Sequence, residues 1–276
     1  MYEALAKEEI EGGVESLVSA LEKAATANGV EIKTSTEVTE VVLENGEVKG
    51  VKTGESLIES AAVMSSCSTK RTMMDLISPA EISFDTETQV NNLRSRGTTA
   101  IVNLSLDQPV QFSCGNQDVS IYRTGSSFDE IEKAFDSSKY RQYSENPMLE
   151  IRVSEDRKNL NIMTHYAPHD LESGWTDAAK DGLLDNVKKE LSLYIDGQLS
   201  ITSSEIISPK DIEERWGIPG GHIFHAEHAI DQLITRPFPA FMQYRTGIPG
   251  LFHCGSSAHP GGGITCAPGY LAASAL

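Results

Sequence analysis

The sequence predicts two architectures in one chain: an α/β part formed by its two ends and an α+β part between them. Near the N-terminus, a helix-spaced segment precedes strand-like runs. Near the C-terminus, a strand leads through a glycine-rich loop into the start of a helix. The runs between them do not alternate as βαβ units, which is typical of an α+β insertion. We therefore divide the 276 residues into a discontinuous domain, 1–68 and 246–276, and an inserted domain, 69–245.

The N-terminal helix is predicted by apolar residues that recur at helical spacing: Leu17, Val18, Leu21, Ala24 and Ala25. Asn28 and Gly29 end it, because both tolerate the left-handed conformation that follows a helix C-terminus. The alternating residues 30–34 then predict a strand.

A β-hairpin follows. Asn45 and Gly46 separate two β-rich runs, 37–43 and 47–52, and this dipeptide suits the tight turn of a hairpin. Residues 61–64 then form a short apolar run that ends in the polar stretch 65–68. Such a strand end is typical of the ligand-binding edge of an α/β sheet.

The middle of the chain predicts four strands and two helices. The strands are 98–106, 119–123, 148–153 and 160–166, and the helices are 127–140 and 176–195.

Charge and composition exclude several classes of partner. The chain has 40 acidic against 23 basic residues, a net charge of −17, which repels nucleic acid and anionic lipid surfaces. No apolar run approaches the ~20 residues of a membrane helix. The start of the chain has no secretory signal pattern. The four cysteines are widely spaced, so we expect free thiols, with Cys67 and Cys114 as small buried side chains, in a cytoplasmic protein.

Other site types fit the sequence poorly. His222, His225 and His228 lie three residues apart, a spacing that converges on neither a helix nor a strand, so we expect no metal site. The serine hydrolase motif G-x-S-x-G is absent, as are G-x-G-x-x-G and the phosphate-binding P-loop motif.

The C-terminal run GLFHCGSSAHPGGGITCAPGYLAA and the run PGGHIFHAE, which begins at Pro219, carry a family resemblance. They resemble signatures of the phytoene desaturase-like flavoproteins of the amine-oxidase superfamily, in the branch of pyridine nucleotide-disulfide oxidoreductase domain-containing protein 2. The segment from Gly12 to Val51 resembles the family's helix–strand–hairpin unit. The resemblance implies a partial, discontinuous Rossmann-like FAD-binding domain with an inserted mixed-sheet substrate domain.

The same resemblance implies a flavin site. Gly255 and Ser256 would approach the ribityl–pyrophosphate portion, Gly262, Gly263 and Ile264 the pyrimidine edge of the ring, and the Val38 backbone the adenine. His259, in the glycine loop, is the candidate catalytic group, and a purely structural role in ordering that loop is an equal alternative. The implied activity is oxidation of a C–C or C–N bond of a small organic substrate.

The chain departs from the family in lacking the G-x-G-x-x-G segment that binds the diphosphate of FAD. We therefore expect it to be part of a longer enzyme, to bind FAD weakly or not at all by itself, and to be inactive alone. A homo-oligomer is compatible with the sequence. Tyr270 is the only aromatic residue from Cys254 to Leu276, so the sequence does not predict the aromatic cage of an amine oxidase. The alternative is a non-catalytic binding protein that keeps the fold without flavin.

Overall fold

A computed structural model describes residues 12–114, 117, 119–125 and 127–276. Its strands are β1 (Glu40–Glu44), β2 (Glu47–Thr53), β3 (Ser56–Glu59), β4 (Val63–Ser65), β5 (Thr99–Leu106), β6 (Ile121–Arg123), β7 (Leu149–Val153), β8 (Asn159–His165), β9 (Ile201–Ile207) and β10 (Leu251–His253). Its α-helices are α1 (Gly13–Ala27), α2 (Phe84–Asn92), α3 (Phe128–Lys139), α4 (Asp177–Leu191), α5 (Pro209–Trp216), α6 (Ile230–Leu233) and α7 (Ala267–Ala273).

The hairpin prediction is confirmed. Strands β1 and β2 pair antiparallel, and Asn45 and Gly46 turn between them with φ of 54° and 80°. Strand β3, which the sequence analysis did not predict, adds to β2 and makes a three-stranded antiparallel sheet.

The two ends of the chain meet in a parallel strand pair. Strand β10 lies beside β4, with Leu251 opposite Val63 and His253 opposite Ser65. The Val63 N–H donates to the Gly250 carbonyl at 2.8 Å. The expectation that these distant segments come together is therefore confirmed. The remainder of a Rossmann-like sheet stays a prediction.

The inserted region is built on a five-stranded sheet in the order β6–β7–β8–β5–β9. The expectation of a mixed sheet is wrong here, because all four strand pairings are antiparallel. Strands β7 and β8 are joined by only five residues, 154–158, a connection too short for the crossover that parallel neighbours require.

One face of this sheet is covered and the other is open. Helix α4 begins after Thr176, whose side chain accepts a hydrogen bond from the Ala179 N–H. Its apolar side packs on alternate residues of the sheet. The shared core includes Val102, Leu104, Leu149, Ile151, Ile162, Leu183, Val187 and Leu191. The other residues of each strand face away from α4 and are left partly accessible.

A second hydrophobic core joins the ends of the chain to parts of the insertion. Val41, Val48 and Leu251 pack there with Met73 and Phe241. This core crosses the sequence positions 68/69 and 245/246, at which we divided the chain. The domain boundaries remain a prediction.

Two expectations about the surface are wrong. Residues 30–34 do not form a strand: Val30 and Ile32 are 52% and 46% exposed, and no neighbouring strand within the described residues pairs with them. Alternation specifies a strand only where a partner strand and a buried face exist. Cys67 and Cys114 are exposed rather than buried, because both lie in loops, and all four cysteines are free.

No helix among the described residues has the length and apolar character needed to cross a bilayer.

Candidate functional site

Polar loops follow both strands of the parallel pair and interlock. The Cys254 N–H donates to the Ser65 carbonyl at 2.9 Å. The Thr69 N–H donates to Ser257 Oγ at 3.2 Å. These bonds fix the loop after β10 against the loop after β4, so the backbone at this edge of the sheet is held in place.

His253 lies beneath these loops as a buried, neutral imidazole. It is 1% exposed, and its Nε2 lies 3.1 Å from Thr69 Oγ1. Burial lowers its pKa to about 4, and the positive charge of the nearby Arg236 contributes in the same direction. At neutral pH the ring is therefore uncharged.

Gly255 occupies a position where a side chain does not fit. A Cβ atom there would collide with the backbone carbonyl of Ser66. The glycine therefore permits the two polar loops to approach each other. The next residue, Ser256, accepts a hydrogen bond through its carbonyl from Arg236 Nε at 3.0 Å.

Arg236 joins the loop after β10 to the histidine-containing segment 222–228. The side chain is 1% exposed and donates to three further carbonyls, those of Phe224 at 2.6 Å and of Ala226 and Glu227 at 3.1 Å. Burial lowers its pKa to about 10, so it remains a cation at neutral pH. A buried guanidinium that is bonded to four carbonyls holds both segments in a fixed relation.

The histidine-containing segment presents neutral rings. Burial lowers the pKa of His222 to about 4, and it also lowers the pKa values of His225 and His228. His222 Nδ1 accepts a hydrogen bond from the Phe224 N–H at 3.2 Å, which leaves its proton on Nε2. Phe224 stacks on His228 with a ring separation of 4.5 Å. The described residues contain no cluster of three or more His, Cys, Asp or Glu side chains that could hold a metal ion.

A cavity of about 720 Å³ lies between this segment, the glycine loop and the open face of the five-stranded sheet. That volume is in the range of small-molecule sites. The lining residues come from three places: Gly97, Thr98, Thr99, Glu150, Arg152, Met163 and His165 from the sheet and its entry loop; His222, Ile223, Phe224 and His228 from the histidine-containing segment; and Gly262, Gly263 and Ile264 from the glycine loop.

The charged part of the cavity is centred on Glu150. Its Oε2 accepts from Arg123 Nε at 2.8 Å, and its Oε1 lies 3.5 Å from an Arg152 nitrogen. Burial alone would raise the pKa of Glu150. The hydrogen bond and charge of Arg123, with the charge of Arg152, outweigh burial and hold this pKa below its usual value. Glu150 is therefore an ionised carboxylate at neutral pH.

The predicted site residues fall into three groups. Gly262, Gly263 and Ile264 line the cavity. Gly255 and Ser256 lie at the base of the same loop, beside Arg236. His259 is on the exposed side of that loop, and Val38 is half-buried just before β1. Neither is among the cavity-lining residues.

Several lining residues were not singled out from the sequence as part of this site. Glu150 and Arg152 lie two residues apart on β7 and so share one face of the sheet, a signal that alternation along the predicted strand carries. Phe224 supplies an aromatic wall from a segment remote from Tyr270, which is itself exposed. His222 and His228 were considered only as metal ligands.

The comparisons with known proteins agree with this site. The model of the family described as flavin containing amine oxidoreductase matches residues 4–269. The chain belongs to this family. It is 29% identical over 289 residues to pyridine nucleotide-disulfide oxidoreductase domain-containing protein 2 of Rattus norvegicus, covering 96% of this chain and 50% of the relative. The family resemblance stated from the C-terminal motif is confirmed.

Two more distant similarities extend the comparison. A limonene dehydrogenase polypeptide of Castellaniella defragrans is 24% identical, over 97% of this chain and 54% of its own length. The crystal structure of an oxidoreductase from Methanosarcina mazei matches with a TM-score of 0.58 at 15% identity, over 95% of this chain and 54% of that one, which supports the fold alone. The chain thus spans about half the length of the curated relatives it matches.

The glycine loop fits a flat ligand such as a flavin ring. Gly263 has φ of 113°, and a Cβ built there would meet only Thr265, at 3.9 Å, among the described residues. Gly262 is different, since a Cβ there would collide with the Phe224 ring. The backbone of this pair therefore faces open space on the cavity side and is packed against an aromatic ring on the other.

Proposed function

We propose that the chain forms the flavin-ring and substrate part of an FAD-dependent oxidoreductase that oxidises a C–C or C–N bond of a small organic molecule. The observation that supports this most directly is the cavity between the glycine loop and the open sheet face. In a chain of a flavin family, it is where a ring and a substrate can meet. When bound, the flavin supplies the hydride acceptor.

The proposed flavin contacts follow the chain order of the glycine loop. Gly262, Gly263 and Ile264 would offer their backbone to the pyrimidine edge of the ring. Gly255 and Ser256, deeper in the loop, would serve the ribityl–pyrophosphate portion, and Val38 would meet the adenine. We further propose that 1–68 with 246–276 form the flavin domain around the parallel strand pair.

Apolar lining residues would keep water from the reacting atoms. Met163, Ile223 and Ile264 line the cavity, and the Phe224–His228 stack forms one wall. A pocket that excludes water protects a reduced centre and strengthens the remaining polar contacts.

Proton handling in this cavity suits His222 better than His259. His222 lines the cavity and keeps its proton on Nε2, because Nδ1 is occupied by the Phe224 N–H. A neutral imidazole in that tautomer can donate a hydrogen bond to a substrate oxygen or nitrogen. His259 is exposed and outside the lining.

The alternative function is that of a non-catalytic binding protein. It is favoured by one observation, the absence of G-x-G-x-x-G from the sequence. The two functions differ in whether a flavin is present.

The test is the visible absorption spectrum of a protein extended at its N-terminus by a segment that carries G-x-G-x-x-G. The oxidoreductase proposal expects a flavin band that bleaches when an oxidisable substrate is added without oxygen. A colourless extended protein that takes up no FAD would contradict it and favour the binding protein.

A further inference from the structure

We propose that the substrate of this cavity carries a carboxylate on an apolar carbon body, and that Arg152 holds the carboxylate. The inference rests on the proposed function, because it names a substrate class for the same cavity. It is drawn from the charges and the apolar walls that the described residues place there.

The cavity is locally positive in a strongly acidic chain. Glu150 is the only carboxylate among the described lining residues, and it is engaged by two guanidinium groups, those of Arg123 and Arg152. The lining histidines are uncharged at neutral pH. Two cations against one anion leave a net positive charge, although the whole chain carries −17. Such a pocket concentrates anions.

Arg152 has donors to spare. Its partner within the described residues is Glu150, at 3.5 Å, which is a long hydrogen bond. Arg123 takes the other oxygen of that carboxylate at 2.8 Å. The Arg152 side chain is 54% exposed and lines the cavity. Its planar fork of N–H groups matches a carboxylate better than it matches an alcohol or an amine.

The rest of the cavity suits an apolar body. Met163 lies on β8, opposite Glu150, and Ile223, Phe224 and Ile264 continue the lining towards the glycine loop. A carboxylate held at Arg152 therefore leaves the attached carbon atoms between these side chains, facing Gly262 and Gly263. A pure hydrocarbon would desolvate Arg152 without replacing its hydrogen bonds, which is unfavourable.

The inference is tested with four small probes and the chain as it exists. Hexanoate, 1-hexanol, hexylammonium and acetate are titrated at neutral pH and followed by saturation-transfer NMR. Hexanoate should bind more tightly than the other three, since only hexanoate combines the charge with the carbon body. Equal binding of hexanoate and 1-hexanol, or no binding of hexanoate, would overturn the proposal.

Three variants locate the contact. Arg152→Gln should weaken hexanoate binding by about tenfold or more, the effect of losing a charge-assisted hydrogen bond, and leave 1-hexanol unchanged. Glu150→Gln should tighten hexanoate binding, because it frees both guanidinium groups, and this arm stands even if Arg152→Gln folds poorly. Arg141→Gln is the matched control: Arg141 is similarly exposed, is ion-paired with Asp170 and lies outside the cavity lining. An unchanged affinity in both cavity variants would overturn the role of Arg152.

These measurements need no flavin, so their failure is separable from failure of the proposed function. An extended protein that binds FAD but shows no preference for hexanoate would remove the substrate class and keep the oxidoreductase. Hexanoate binding that depends on Arg152 in a protein that takes no flavin would keep the anion site and contradict the oxidoreductase.

Discussion

Acid should destabilise this fold through His253, whose imidazole is buried beneath the loops that follow β4 and β10. The folded-state pKa of about 4 lies below the ordinary value of 6.5. The unfolded chain therefore binds a proton at a higher pH than the folded chain does. The stabilisation is complete above the unfolded-state pKa and is lost as the pH falls from 6.5 towards 4.

The magnitude follows from these two values. Linkage for a single group gives a loss of about 2 kcal/mol in the free energy of unfolding between about pH 7 and pH 5. His222, which has a similar pKa but is less deeply buried, adds in the same direction. The net charge of −17 acts the other way, since protonation of carboxylates relieves their repulsion, so the effect of His253 must be measured as a difference.

The assay is urea unfolding of wild type and His253→Asn at about pH 7 and pH 5. Asparagine keeps one donor and one acceptor but does not titrate in this range. The variant should lose about 2 kcal/mol less than wild type on acidification. His259→Asn, a substitution of an exposed histidine, controls for loss of an imidazole. An equal loss in wild type and His253→Asn, or an NMR titration of His253 with its midpoint near 6.5, would refute the reasoning.

Two further predictions concern the loops around the site. Gly255→Ala should destabilise the protein by about 1–3 kcal/mol in urea unfolding, because its Cβ collides with the Ser66 carbonyl, whereas Ser256→Ala next to it should have little effect; equal effects would show that the loops can move apart. Arg236→Lys should cost at least ~2 kcal/mol and speed proteolysis within 222–228, because an ammonium group cannot serve all four carbonyls; unchanged proteolysis would show that the segment is held by other contacts.

Local patterns in the sequence were sufficient for most of the elements that line the cavity. Strands β5, β7 and β8 and helices α3 and α4 lie within a few residues of their expected bounds, since each combines clear periodicity with capping or turn residues. Helix α5 was missed although Ser208, Pro209 and Asp211 form a capping box at its start. Strand β9 was missed because its centre, Thr202 to Glu205, is polar, as an exposed edge strand allows.

The candidate site was predictable only in part. The glycine loop carries its own signature, so Gly262, Gly263 and Ile264 could be chosen from sequence. Glu150 and Arg152 could not, because their importance depends on which segment covers the open face of the sheet, and that is a tertiary contact. Arg236 likewise has its partners on two segments that only the folded chain brings together.

The most direct test of the central claim is FAD titration of the present chain, of the chain extended by a G-x-G-x-x-G segment, and of Gly263→Val in the extended protein. The account expects weak or no binding by the present chain. Extension should strengthen binding at least about a hundredfold by adding charge-assisted bonds to the diphosphate. Gly263→Val should weaken it again by filling the open space before the loop. Gly197→Val, at another positive-φ glycine with open space around it, should not. Submicromolar affinity in the present chain, or Gly263→Val binding as tightly as its parent, would contradict the account.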